Sequence, residues 1–393
     1  MRKIKWFKLI AILACMALIF AGCSGEGEKE TPNPSEGGTS TEGGTSTEGG
    51  EPVEETKTLN DYTLDEIIEK AKAEGHLESV GMPDSWANWG ESWNGYTAEY
   101  GITHNDSDMS SAEELSMFES DPTRAIGDVG FAFTTKLKND KGEDIVQSYK
   151  TTYWDSVPDW AKDADGKWMV AYTGCTAFLY NNDILSDPMP TSWQEVREGN
   201  YTIAIGDVVG GATGQGNVIA TAYAFGGDID NLQPAYDFWT EMAEAGRING
   251  IDITSQNFEN GEVPFGVIWS YNAYSYSKSL KENKGYNMTY CIPSDGAILS
   301  GYASVINANT TTPFAAALAR EYIFSDQGQI NLAKAGAIPT RTNVEIPAEV
   351  AAETFEPSTY AHAVGFADAA HYGEVCTEIA AWWSENILPL IAK

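Results

Sequence analysis

Four short stretches of this 393-residue chain gather side chains that could grip a small molecule. Pro83-Asp84-Ser85-Trp86-Ala87-Asn88-Trp89 sets a carboxylate beside two indoles. Ser110-Ser111 offers two hydroxyls ahead of Glu113 and Glu114, and Trp269-Ser270-Tyr271-Asn272 adds aromatics and an amide. In Val209-Gly-Gly-Ala-Thr-Gly-Gln-Gly216, glycines would let the backbone approach a ligand, and N–H groups at a following helix start would favour an anion. No Gly-Lys-Ser/Thr ending makes it a nucleotide-binding loop. Blander roles compete at each place: a tight strand–helix turn for the glycines, a helix cap for Ser110-Ser111, core packing for Trp86, Trp89 and Trp269. Trp93 reads as packing on its own helix. The loops 83–93, 105–116, 207–217 and 268–276 contain no Lys or Arg, yet carry Asp84, Glu91, Asp106, Asp108, Glu113, Glu114 and Asp207. Phosphate recognition usually recruits Arg or Lys. Aromatic faces with carboxylates suit an ammonium group instead, each cation–π contact contributing about 0.5–2 kcal/mol. The loops therefore lean toward an organic cation such as a polyamine. The alternatives are ferric iron, for which Tyr271, Tyr274 and Tyr276 could supply phenolates, and a phosphonate or sugar phosphate held by Ser110, Ser111 and Thr213.

Covalent or metal chemistry has little to stand on. There is no GxSxG and no HExxH, and the four histidines (His76, His104, His362, His371) form no metal-ligand motif. Asp and Glu are too numerous for sequence to single out a glycosidase pair. Cys175, Cys291 and Cys376 are far apart and lie in no CxxC, so neither a disulfide framework nor a zinc cluster is implied and buried free thiols are expected. No catalytic residue, metal ligand or cofactor is assigned.

The elements that would position these loops alternate. An amphipathic helix over Asn60–Glu74, capped by Asn60 or Asp61 and ended by Gly75, precedes a strand at Leu77–Met82. A helix to about Tyr100, a strand at Ile102–Asp106, a helix start at Ser110 and a strand at Ile126–Phe133 follow. Trp168–Tyr180 is a long β-rich run. Beyond it come a strand at Tyr201–Asp207, helices at Asn217–Phe225 and Pro234–Ala245, a strand at Pro264–Trp269 and a helix at Tyr271–Lys281. Strands at Met288–Pro293 and Leu299–Asn307 and a helix at Pro313–Ser325 complete the pattern. Such repetition predicts an open α/β sheet with its crevice at the carboxyl ends of the strands. Asp84, Trp86, Trp89, Ser110, Ser111 and Asp128 fall on one set of strand ends; Thr213, Gly214, Gln215, Trp269, Tyr271 and Asn272 fall on another.

The amino terminus fixes the setting. Arg2, Lys3, Lys5 and Lys8 precede a short apolar run, Leu9–Ala21, which suits a leader better than a span of about 30 Å of hydrocarbon. Ala21-Gly22-Cys23 resembles the cleavage box of bacterial lipoproteins, although Phe20 departs from the usual Leu; in that family the Cys is lipidated and becomes the mature N-terminus. An uncleaved anchor or a plain secreted signal is the alternative. Residues 24–57 are mostly Gly, Ser, Thr, Glu and Pro with a repeated Glu-Gly-Gly-Thr-Ser-Thr, and cannot bury enough apolar surface to offset their ordering entropy. They read as a disordered tether reaching roughly 30–35 Å. The chain carries a net charge of −33; with +4 in the leader and −7 in the tether, −30 remains on the folded part. That excludes nucleic acid and anionic membrane surfaces as partners.

From about residue 60 to 390, order and spacing resemble a type II periplasmic solute-binding protein, in the branch whose ligands include iron, polyamines, thiamine and phosphonates. The pieces are Lys72-Ala-Glu-Gly75, Ser110-Ser-Ala-Glu113, Gly174-Cys-Thr-Ala-Phe-Leu-Tyr-Asn-Asn-Asp183, Thr191-Ser-Trp-Gln-Glu195, Pro293-Ser-Asp-Gly296, Phe324-Ser-Asp-Gln-Gly-Gln329 and Gly336-Ala-Ile-Pro-Thr-Arg341. The adjacent Tyr-Tyr pair familiar in ferric binders is missing. The resemblance implies two α/β lobes joined by a hinge: residues 58–172 with 299–393 as one lobe, 181–292 as the other, 173–180 and 293–298 between them, with Thr173 and Gly174 near the crossing. It also implies a monomeric receptor, lipid-anchored at Cys23 outside the cell membrane, that closes over a small ligand and delivers it to an ABC permease and its ATPase. Ser24 and the acidic spacer favour the outer face of a Gram-positive cell over a periplasm. A surface-tethered hydrolase and a sensory binding module are the rival readings.

Overall fold

The computed structural model describes residues 57–353 and 355–391; the leader, Cys23 and nearly all of the spacer lie outside them. Helices and five-residue strands alternate first: α1 (Leu64–Glu74), β1 (His76–Val80), α2 (Trp89–Tyr100), β2 (Thr103–Ser107), α3 (Ser111–Ser120) and β3 (Ile126–Gly130). After β4 (Val146–Gln147) comes the 14-residue β5 (Trp168–Asn181), then α4 (Trp193–Glu198), α5 (Ala212–Ala224), α6 (Gln233–Glu244) and α7 (Ser255–Glu259). The chain continues through β6 (Phe265–Trp269), α8 (Ser270–Lys284), β7 (Met288–Cys291), β8 (Ile298–Asn307), α9 (Pro313–Phe324) and α10 (Asp326–Lys334). It closes with β9 (Ile338–Pro339), α11 (Ala348–Ala351), β10 (Val364–Gly365), α12 (Ala369–Asn386) and α13 (Leu388–Ile391).

Local chemistry sets the helix ends. Thr63, rather than Asn60 or Asp61, caps α1: its hydroxyl accepts from the Glu66 N–H while the Glu66 carboxylate accepts from the Thr63 N–H. Asn60 and Asp61 are taken up in a preceding 3-10 turn. Gly75 ends the helix at φ 72°, a left-handed conformation that costs a side-chain-bearing residue more. The glycine-rich segment departs further from expectation. Helix α5 already begins at Ala212, so Thr213, Gly214, Gln215 and Gly216 are helical. The expected strand at 201–207 reduces to two parallel bridges, Ile203 to Ile248 and Ala204 to Gly266.

The sheet runs β2-β1-β3-β8-β5-β6, with β1 parallel to β2 and β3, and β8 antiparallel to β3 and β5. Strand β5 belongs to two lobes at once. Its residues up to Cys175 pair with β8, whereas Thr176 onward pairs with β6 and then β7. The switch of partner between Cys175 and Thr176, together with the return from β7 into β8, makes the connection between the lobes. Gly174 sits at this crossing because a Cβ there would stand 2.5 Å from the Tyr271 ring. Helix α12 touches both sides: Tyr372 lies against Phe131, which follows β3, while Trp382 stacks on Tyr236 and Trp383 packs on Trp239, both on α6. Arg320, fully buried on α9, donates to Ser304 and to the carbonyls of Tyr149, Gly166 and Lys167, fastening the 149–167 excursion to β8.

Candidate functional site

Between the lobes lies a cleft of about 990 Å³. One wall is built by the loop before α2 and the start of α3; the other is built by residues 205–213 entering α5 and the segment 248–259. Both walls are carboxyl ends of strands or bridges, where consecutive loops converge. The lobes meet at the cleft's edge: the Ala112 N–H donates to the Gly210 carbonyl at 3.3 Å, and Thr213 Oγ1 lies 3.2 Å from the Tyr302 hydroxyl on β8.

Every charged side chain lining the cleft is acidic: Asp108, Glu113, Glu114, Asp207, Asp252 and Glu259, with no Lys, Arg or His among the lining residues. Asp108, which opens onto the cleft, is pushed up to about 6 by partial burial and then by Asp106, Asp252 and Glu113. Asp106 and Asp252 are raised mainly by burial. Glu114 and Asp128 are fully buried and held well above the ordinary carboxylate range, first by desolvation and then by neighbouring acids. Glu114 Oε2, Asp128 Oδ1 and Asp106 Oδ2 have no hydrogen-bond partner in the protein, and their raised values hold these buried acids toward the neutral form. The loops into the two helices are held by acids. Glu113 accepts from both the N–H and the hydroxyl of Ser110, the residue before α3, and Asp207 accepts from the Val209 and Gly210 N–H groups in the turn ahead of α5.

Aromatic rings form the inner layer. Trp86 faces the cleft with Tyr302 and Tyr276. Its indole donates to the Tyr172 hydroxyl (3.0 Å), which donates in turn to Asp128 Oδ2 (2.6 Å); the Trp89 indole donates to the same oxygen at 3.2 Å. Tyr271 and Tyr302 lie edge-on to Trp86, with centroids 5.8 and 5.6 Å away. The backbone just after Trp86 is strained: Ala87 and Asn88 have φ of 47° and 61°, the non-glycine residues at positive φ among those described. Such strain, of order 1–3 kcal/mol per residue, persists only where surroundings impose it. Here the Ala87 N–H meets Asn272 Oδ1 from the other lobe at 3.4 Å, and Asn88 Nδ2 donates to the Asn331 carbonyl and to Glu91.

The residues singled out from sequence divide accordingly. Trp86, Ser110, Ser111 and Thr213 line the cleft. Ser111 is also committed internally, its hydroxyl accepting from the Gly130 N–H. Asp128 and Trp89 stand one layer behind, as do Tyr271, Trp269, whose indole donates to the Tyr302 hydroxyl, and Asn272. Asp84 turns into a neighbouring groove of about 460 Å³ with Tyr274 and Lys334. Thr173 lies on β5 opposite Gly301 and outside the cleft lining. Gly214 and Gln215 fall inside α5: a Cβ on Gly214 would lie 2.5 Å from the Asp207 carbonyl, and Gln215 is fully buried. Sequence reading missed the segment 248–259 with Asp252 and overlooked Tyr302. The bridge from Ile203 to Ile248 is what brings that segment to the strand ends, and a lone bridge leaves no strand-length pattern to read. Among the described residues, no group of three His, Cys, Asp or Glu is arranged to hold a metal ion.

A family model described as bacterial extracellular solute-binding protein matches residues 128–370. No curated protein matches the chain. Several solved structures share the fold. The periplasmic binding protein AfuA from Actinobacillus pleuropneumoniae, solved with fructose-6-phosphate, is 14% identical with a TM-score of 0.62, over 79% of this chain and 98% of its own. Iron-bound HitA from Pseudomonas aeruginosa is 15% identical with a TM-score of 0.59, over 80% and 99%. A protein from Listeria monocytogenes, described as a candidate spermidine/putrescine ABC transporter, is 18% identical with a TM-score of 0.57, over 78% and 98%. These likenesses establish the two-lobed fold.

Proposed function

This chain belongs to the bacterial extracellular solute-binding proteins, and from that premise we propose that it is a lipid-anchored receptor that closes on an organic cation, such as a polyamine, and delivers it to an ABC importer. The observation that carries the ligand class is the cleft lining: six carboxylates, no basic side chain, and an aromatic wall led by Trp86. Ammonium groups would pair with Asp108, Asp207 and Asp252 while methylenes and charge lie against Trp86 and Tyr302. Phosphate-type ligands are disfavoured because the cleft lining carries no Arg, Lys or His to meet their charge. Ferric iron is disfavoured because Tyr271, Tyr274 and Tyr276 do not converge on the cleft: Tyr271 is buried behind it and Tyr274 lines the neighbouring groove. Cys23 would hold the receptor beside the permease through the Gly-, Ser- and Glu-rich spacer, without a part in recognition.

A thermal-shift screen of residues 56–393 against spermidine, putrescine, thiamine, ferric citrate and a phosphonate tests the reading. A ligand at 100 times its Kd stabilises the protein by about 2.7 kcal/mol, so the amines should raise the melting temperature. A shift with the phosphonate alone would refute the cation assignment. Hydrolysis of small esters or glycosides, with no ligand bound, would refute the receptor role.

A further inference from the structure

The cleft is not acidic along its whole length. Its lining also includes Ile248, Trp383, Leu388 and Ile391, from the loop after the Ile203–Ile248 bridge and the C-terminal segment. Ile391 Cδ1 lies 4.0 Å from the position a Cβ on Gly250 would take, so the two segments are in contact. An independent observation falls in the same place. Five large apolar side chains are exposed among the described residues: Trp160, Ile184, Val209, Ile251 and Leu388. Val209 and Leu388 line this cleft, and Ile251 sits between the lining residues Gly250 and Asp252. Scattered single apolar residues need no explanation, but exposed Val209 and Leu388 share one cleft with Ile248 and Ile391. The volume, about 990 Å³, is at the top of the range of about 300–1,000 Å³ that holds drug-sized ligands, well beyond the needs of a short diamine.

We infer that the ligand is an amphiphilic cation: an ammonium-bearing head held by Asp108, Asp207 and Asp252, with an apolar arm lying along Val209, Leu388 and Ile391. This rests on the cation reading above and narrows it. Continuity commits the apolar end to the same molecule, because Val209, Leu388 and Ile391 line one cleft with Asp108, Asp207 and Asp252.

The test is calorimetric titration of residues 56–393, which pack as one compact unit, with 1,4-diaminobutane and N-octyl-1,4-diaminobutane. The two probes carry the same charge and differ only in the arm. At about fourfold per buried methylene, an octyl arm half covered by the cleft should tighten binding roughly a hundredfold. Val209→Asp and Leu388→Asp, both at exposed lining positions, should each cut that ratio to below about tenfold. A ratio near one in the unaltered protein overturns the inference while leaving the cation receptor standing. So does a large ratio that neither substitution reduces, since the arm would then be binding elsewhere. If neither diamine binds, the cation reading itself fails.

Discussion

Gly130 stands where the lobes touch, and substituting it separates closure from ligand contact. Its backbone, at φ −56° and ψ 149°, is open to any residue, so Gly130→Ala introduces no conformational strain. A Cβ there would lie 2.2 Å from the Ala212 Cβ at the first turn of α5. Carbon atoms attract best at about 3.5–4 Å, so the lobes would have to part locally by over ~1 Å. Overpacking of this kind typically costs about 1–3 kcal/mol; if the lobes part without ligand, as the proposed capture requires, that cost falls on the closed form alone. We expect Gly130→Ala to weaken ligand binding by roughly 5- to 150-fold while urea denaturation of the ligand-free protein changes by less than about 0.5 kcal/mol. Adding Ala212→Gly returns the contact to a single methyl group and should recover most of the affinity, giving a coupling free energy of about 1 kcal/mol or more in the double-mutant cycle. Calorimetric titration with spermidine is the assay. Unchanged affinity in the Gly130→Ala protein, or no recovery in the double variant, would refute the view that this lobe contact forms on ligand capture.

Tyr172→Phe removes the hydroxyl joining the Trp86 indole to Asp128, leaving buried polar groups unpaired; a stability loss of about 1–3 kcal/mol in urea and an altered tryptophan emission are expected. Ala87→Gly relieves a left-handed alanine and should stabilise the protein by about 1 kcal/mol, with ligand affinity unchanged or lower as Trp86 loosens. Acidity should act in two directions. Asp106, Asp108, Asp252, Glu114 and Asp128 all have folded values above their unfolded ones, so their protonation favours the folded state. The ligand-free protein should therefore gain stability as pH falls from 7 through about 6. Below the ordinary carboxylate range the trend should reverse, as Glu66, Glu113 and Asp121, which are lowered by hydrogen bonds, take up protons. Spermidine affinity should fall over the same descent through about 6 as Asp108 loses its charge; melting curves and titrations across this range check both signs.

The fold was legible where periodicity and caps agree. The alternation from α1 to β3 and the long run that became β5 follow from apolar pattern and turn residues, and Gly75 closes α1 as its position suggests. Strand ends drifted by up to three residues because burial, not propensity, ends them: β3 stops at Gly130, and the apolar Phe131–Phe133 continues as a buried 3-10 turn. At Val209–Gly216 the glycines that suggested a loop instead allow a helix to press against its own entry. Gly214 packs on the Asp207 carbonyl and Gly216 on Trp269, contacts across the fold that no local rule reports. For the same reason the site was half readable. Trp86, Ser110, Ser111 and Thr213 sit at strand ends recognisable from sequence, whereas Asp252 and Tyr302 reach the cleft only through pairings distant in the chain. The dearth of basic residues in the loops was a property of composition, and it carries through to the lining of the cleft.

The charge of the ligand is the central claim, and one pair of titrations addresses it most directly. Residues 56–393 are titrated at pH 7.5, in about 0.15 M salt, with spermidine and with a sugar phosphate such as fructose-6-phosphate. The account expects saturable, one-to-one binding of the amine that weakens as salt is raised, and no heat from the phosphate ester. Tight binding of the sugar phosphate with the amine silent would contradict it.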